Sequence, residues 1–140
     1  MIELDVIGTP APQGSKRHVG GGRMVESSKK VKPWRNAIEA EALNHTFDPW
    51  PYVGVAVVFR LKRPKSHYRT GRFADQLKSG APLLPAKYPD LDKLCRSTLD
   101  GLKAGQAFGD DAQVVILDAR KVYAEKAEQP GARIRLFPAL

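Results

Sequence analysis

Ile2, Leu4 and Val6 alternate with Glu3 and Asp5, the period-2 pattern of a strand with one buried face, and the pattern stops at Gly8. The stretch from Thr9 to Lys32 is rich in proline, glycine and basic side chains, which predicts a loop or a short exposed hairpin turning at Gly20 to Gly22. Its glycines do not have the spacing of a phosphate-binding Walker loop. After Pro33, a residue suited to a first helical turn, Trp34, Ile38 and Ala42 recur at helical spacing with Ala37 and Leu43 nearby. A helix is expected there, with Trp34 in the core and base stacking as its alternative role. Beyond Pro49 and Pro51, Val53, Val55, Val57, Phe59 and Leu61 occupy one face of a strand. Ala56 and Val58 make the other face apolar too, which predicts a central strand covered on both sides.

Pro64 to Lys87 has no period, so it is expected to be a long basic loop that lies along a ligand. Then comes the clearest helix: Leu91, Leu94, Cys95, Thr98, Leu99 and Leu102 fill one arc, Asp92, Lys93, Arg96, Asp100 and Lys103 the other, and Gly105 ends it. A strand from Gln113 to Tyr123 and a last one from Ala132 to Phe137 are expected to pair as a hairpin near Pro130 and Gly131. The order is β-α-β-α-β-β. One domain over residues 1–140 is predicted, an α+β (mixed α/β) fold in which two main helices pack on a mixed sheet.

Charge changes the picture. The net charge of the 140-residue chain is +8, which implies an anionic partner, and nucleic acid comes ahead of lipid because no cationic amphipathic helix or lipidation signal is visible. The single cysteine excludes an internal disulfide, the amino terminus is no signal peptide, and the longest apolar run is too short to span a bilayer. A soluble, cytoplasmic protein without a membrane partner or small-molecule cofactor is expected.

Between Tyr88 and Asp111, five acids stand against three bases, with seven bases and one acid in 13–35 and eight bases and one acid in 60–87. Asp90 before the helix, Asp92 inside it and an Asp of the pair Asp110-Asp111 at the start of the following strand are expected to meet at one corner of the sheet. Three oxygen ligands select Mg²⁺ or Mn²⁺ over Zn²⁺, and on a basic surface such a site suits phosphodiester hydrolysis. Arg96, with Lys93 beside it, adds positive charge at the scissile phosphate. The competing account makes Asp90 a helix cap, Asp92 a partner of the helix dipole and Arg96 its i+4 ion pair. Asp100 lies too far along the ridge to share the metal, and of the adjacent Asp110 and Asp111, which point to opposite faces of a strand, only one is expected to face it.

The run Pro89-Asp90-Leu91-Asp92-Lys93-Leu94, then Leu99-Asp100-Gly101-Leu102 and Gly109-Asp110-Asp111-Ala112-Gln113-Val114, resembles the signature of the RusA-type Holliday-junction resolvases. Pro10-Ala11-Pro12-Gln13-Gly14-Ser15-Lys16-Arg17 is similar to that family's basic amino-terminal loop, and Lys121 stands where its later strand carries a lysine. The resemblance implies a homodimeric, Mg²⁺-dependent endonuclease of phage or prophage type that binds four-way DNA and nicks two strands symmetrically. Asp90, Asp92 and Asp111 are then the metal-binding catalytic acids, and Arg96 replaces the family's lysine. Lys16, Arg17, Lys32, Arg69, Arg72 and Lys93 are the expected DNA-binding residues. Two other readings stay open: a general Mg²⁺ nuclease of another fold, in which Pro89-Asp90 joins Asp118-Ala119-Arg120, and a basic DNA-binding protein without catalysis.

Overall fold

The amino-terminal alternation becomes strand β1 (Ile2–Ile7), with Leu4 and Val6 buried and Glu3, Asp5 and Ile7 exposed. The computed structural model describes residues 1–14, 16–18, 24–26 and 29–140, with the backbone alone at 16–18 and 24–26. Strands β2 (Lys16–His18) and β3 (Met24–Glu26) pair antiparallel, as a hairpin requires, and the glycines of the expected turn lie outside the described residues. Helix α1 (Val31–Ala42), strand β4 (Val53–Leu61), helix α2 (Leu91–Ala104), strand β5 (Val114–Tyr123) and strand β6 (Gly131–Pro138) complete the chain. It is the mixed sheet with two helices, in one α+β domain, that the pattern predicts.

The main sheet has the order β1-β6-β4-β5. Strand β6 runs antiparallel to both β1 and β4, and β5 runs parallel to β4. Parallel neighbours need a crossover connection, and α2 supplies it. The expected hairpin between β5 and β6 is therefore wrong. Ala132, Ile134 and Leu136 of β6 are fully buried, which a strand achieves between two neighbours, so β6 inserts in the middle and leaves β5 at the edge.

Both helices pack on one face. Val53, Val55, Val57 and Phe59 are buried under them, together with Trp34, Ile38, Leu94 and Leu102. Ala56 and Val58 point the other way and are only half-buried, which corrects the expectation of a strand covered on both sides. Among the described residues no helix lies there; the flanking Arg120, Arg133 and Arg135 line the open surface around them, and long side chains of this kind shield apolar neighbours with their stems.

The helices touch at backbone distance because Gly101 and Gly105 face α1: a Cβ at Gly105 would lie 2.4 Å from that of Ala42. At the other end of the crossing Trp34 donates from Nε1 to Thr98 Oγ1 at 3.3 Å, so Trp34 is a core residue. Ser97 donates to the Ala11 carbonyl at 2.6 Å, and the Gln13 N–H donates to the Lys93 carbonyl at 3.0 Å. These bonds strap the loop after β1 along α2.

The segment 64–87 has structure of its own. It forms 3₁₀ turns at Lys65–His67 and Gly71–Phe73 and a bridge between Tyr68 and Leu77. Arg63 stacks on Tyr123 at 4.2 Å and Lys126 on Tyr68 at 4.6 Å, which fastens this tongue to the end of β5.

Candidate catalytic acids and nucleic-acid surface

Asp90 occupies the N-cap position of α2 with extended backbone, yet its side chain accepts no capping hydrogen bond. Its carboxylate stands 3.7 Å from the Lys93 ammonium and is exposed. Asp92, one residue inside the helix, is exposed too and lines an open cleft with Cys95, Arg96, Leu117 and Ala119. The capping account thus leaves Asp90 unexplained. The i+4 ion pair between Asp92 and Arg96 that the competing account requires is absent among the described residues. Arg96 instead lies over Gly14, where a Cβ would come within 2.9 Å of its guanidinium, so the loop after β1 and α2 both shape its position.

Two neighbours define this end of the helix. Burial, with the charge of Asp92 adding to it, pushes the Cys95 thiol up to about 11, so at neutral pH it is an uncharged thiol and the hard donors here are oxygens. Lys121 donates from Nζ to the carbonyls of Lys87 and Pro89, at 2.8 and 2.9 Å. The lysine of the edge strand therefore holds the residues that lead into Asp90.

Asp110 and Asp111 lie elsewhere. Asp110 Oδ1 accepts from the Ala112 N–H at 3.0 Å, while Gln113 Oε1 accepts from the N–H groups of Gly109 and Asp110, a reciprocal capping box on the 3₁₀ turn Asp111–Gln113. Its carboxylate is committed to the turn. Asp111 is exposed and lines a cleft with Lys32, Arg35, Asp100 and Lys103, at the carboxyl end of α2. At a rise of about 1.5 Å per residue, Asp92 and Lys103 are separated by roughly 16 Å along the axis. The single corner expected for Asp90, Asp92 and Asp111 does not form within one chain. Among the described residues no three His, Cys, Asp or Glu side chains are grouped so that they could hold a metal ion. The cause is the crossover itself: a strand that follows a helix begins where the helix ends.

The family model of the endodeoxyribonuclease RusA matches residues 7–136 of this chain. The chain belongs to that family. No individual curated protein matches it in sequence. Membership of the RusA family makes the chain an endodeoxyribonuclease, and the matched span includes both acid-bearing ends of α2. Asp118, which a different nuclease fold would set beside Asp90, lies instead on the helix-free face of the sheet and pairs with Arg120 at 3.6 Å.

The expected DNA-binding residues divide by location in this RusA-family fold. Lys93 stands beside Asp90, and Lys32 shares the cleft of Asp111. Arg69 and Arg72 both stack on Phe73, at 4.1 and 4.9 Å, so the tongue presents two guanidinium groups from one aromatic platform. The side chains of Lys16 and Arg17 lie outside the described residues. The tongue also holds His67, edge-on to Tyr123 with Nδ1 3.2 Å from Arg63. Its pKa is lowered, first by desolvation and then by Arg63, Lys87 and Lys78. The tether made by Lys121 is not foreseen from the sequence. Its signals there are the resemblance, which places a lysine at this position, and a basic residue between Ala119 and Tyr123 on the helix-facing side of the edge strand.

Proposed function

We propose that the chain resolves four-way DNA junctions as a Mg²⁺-dependent homodimer, nicking two strands symmetrically in recombination and repair, with Asp90 and Asp92 of one copy completed by Asp111 of the other. The observation that carries this reading is the position of the acids at opposite ends of α2, on either side of an uncovered apolar edge. Val115, Ile116 and Leu117 of β5 are 57, 43 and 45% exposed, and among the described residues the strand has a neighbour on one side only. An exposed apolar edge is a template for another strand. Since β5 runs back along α2, antiparallel pairing of two β5 edges about Ile116 carries the 111 end of each copy toward the 121 end of the other, where Lys121 holds Pro89.

The donor set fits a hard cation, because all three carboxylates are exposed and supply only oxygen. When bound, Mg²⁺ supplies positive charge at the scissile phosphate and a water acidic enough to act as nucleophile at neutral pH. The chain's own part is to place this chemistry. Lys121 fixes the approach to Asp90, Arg96 and Lys93 offer cations to the phosphate oxygens, and the basic tongue binds the backbone beyond. Two sites related by a twofold axis present themselves to two strands at once, which is what paired nicking of a symmetric junction requires.

The test is cleavage of a synthetic mobile four-way junction beside linear duplex of the same sequence, with Mg²⁺ and with chelator. Paired nicks in the junction alone, lost in chelator, are expected. Equal cutting of both substrates contradicts the reading.

A further inference from the structure

Beside Asp90 lies a cleft of about 310 Å³ that none of the acids lines. Its walls include Pro10, Pro12, Pro85 and Pro89, whose rings are rigid and apolar, and Tyr88 stands at it with 70% of its surface exposed. Among the described residues the Tyr88 ring meets no aromatic or cationic partner. Lys62 and Lys87 supply ammonium groups, and among the described residues that line the cleft there is no carboxylate. The clefts that contain Asp92 and Asp111 differ in that each includes acid. The carbonyls of Lys87 and Pro89, which would repel an anion, are turned to Lys121.

We propose that this cleft receives one unstacked nucleotide of the DNA strand that passes Asp90, its base against Tyr88 and the proline rings and its phosphate on Lys62 and Lys87. The volume stands at the low end of pockets that take a small ligand, which run from about 300 to 1,000 Å³. Flat apolar walls with an aromatic ring accept the face of any base, whereas the lysines, with no acid among the described lining residues, select an anion. The inference rests on the reading of the chain as a nuclease of branched DNA, since a base at a branch point unstacks at less cost than one inside a duplex. It makes the approach to Asp90 a place where the strand is recognised as well as cut.

Titration of the full chain with a single-stranded deoxytrinucleotide, followed through the ring resonances of Tyr88 and Tyr123, tests it. Upfield shifts of both rings are expected, with a dissociation constant raised about tenfold in Tyr88→Ala and unchanged in Tyr88→Phe, as loss and retention of one base stack imply. Tyr88 is at the surface, so the alanine variant keeps the fold, checked by its remaining resonances. Unmoved tyrosine rings, or equal affinity in Tyr88→Ala, overturn the proposal. Junction cleavage by the same preparation separates the two readings. A filled cleft without cleavage condemns the resolvase reading and leaves the nucleotide site; cleavage with an empty cleft does the reverse.

Discussion

The ammonium of Lys121 lies 2.9 Å from the carbonyl oxygen of Pro89, so the edge strand of the sheet holds the residue that leads into Asp90. A second bond, 2.8 Å to the carbonyl of Lys87, fixes the same turn. Lys121→Met keeps the aliphatic stem and removes both bonds. We expect kcat to fall about tenfold while junction affinity holds, the loss typical of a group that orients a ligand rather than being one. Equal losses in kcat and affinity, measured by single-turnover cleavage and gel shift, would assign Lys121 to DNA binding instead.

Asp90→Asn, Asp92→Asn and Asp111→Asn each remove one anionic oxygen donor at nearly constant size. Each should lower Mg²⁺-dependent cleavage by about three orders of magnitude, roughly 4 kcal/mol, while the fold and junction binding persist. Near-normal cleavage by any one of them removes that residue from the site.

Asp110 and Asp100 serve as controls for Asp111. The carboxylate of Asp110 already accepts the Ala112 N–H, and an asparagine oxygen accepts it as well, so Asp110→Asn should leave the turn nearly as stable and cut activity far less than Asp111→Asn. Asp100 is half-buried and shares the cleft of Asp111, so its loss changes the local field without removing a ligand. Thermal melts with cleavage rates check both variants. A fully inactive yet stable Asp110→Asn would transfer the role of Asp111 to it.

Much of the frame is legible from local pattern. Alternation at Leu4 and Val6 gives β1, the arc of Leu94, Cys95, Thr98 and Leu102 gives α2, and Gly105 ends it as a small residue pressed against Ala42. Alternation reports which face of a strand is buried but not which strands flank it, so the pattern alone pairs β6 with β5, whereas the fold inserts it beside β4. The acids differ from expectation for another reason. Nearness in sequence is not nearness in space, and α2 separates Asp92 from Asp111 by almost its whole length. Lys121 carries no local signal that its partners are backbone carbonyls on a distant turn.

Affinity and cleavage should separate. Neutralising Arg69 and Arg72, which stack on Phe73, together with Lys16 and Arg17, should weaken binding of every DNA form. For each phosphate that no longer meets a cation, the slope of log K against log salt falls by about 0.9. Cleavage at saturating protein should change little. A slope that stays constant in all four variants means that none of these residues touches phosphate.

The central claim is that the site is shared between two copies, and mixing two dead variants tests it. In a heterodimer of Asp92→Asn with Asp111→Asn, a shared site leaves one centre with every carboxylate intact, built from the unmutated Asp92 of one chain and the unmutated Asp111 of the other. Each variant alone should be inactive, and the mixture should regain single nicks in the four-way junction. A mixture that forms heterodimers, shown by exchange of differently tagged chains, and still makes no nick contradicts the account.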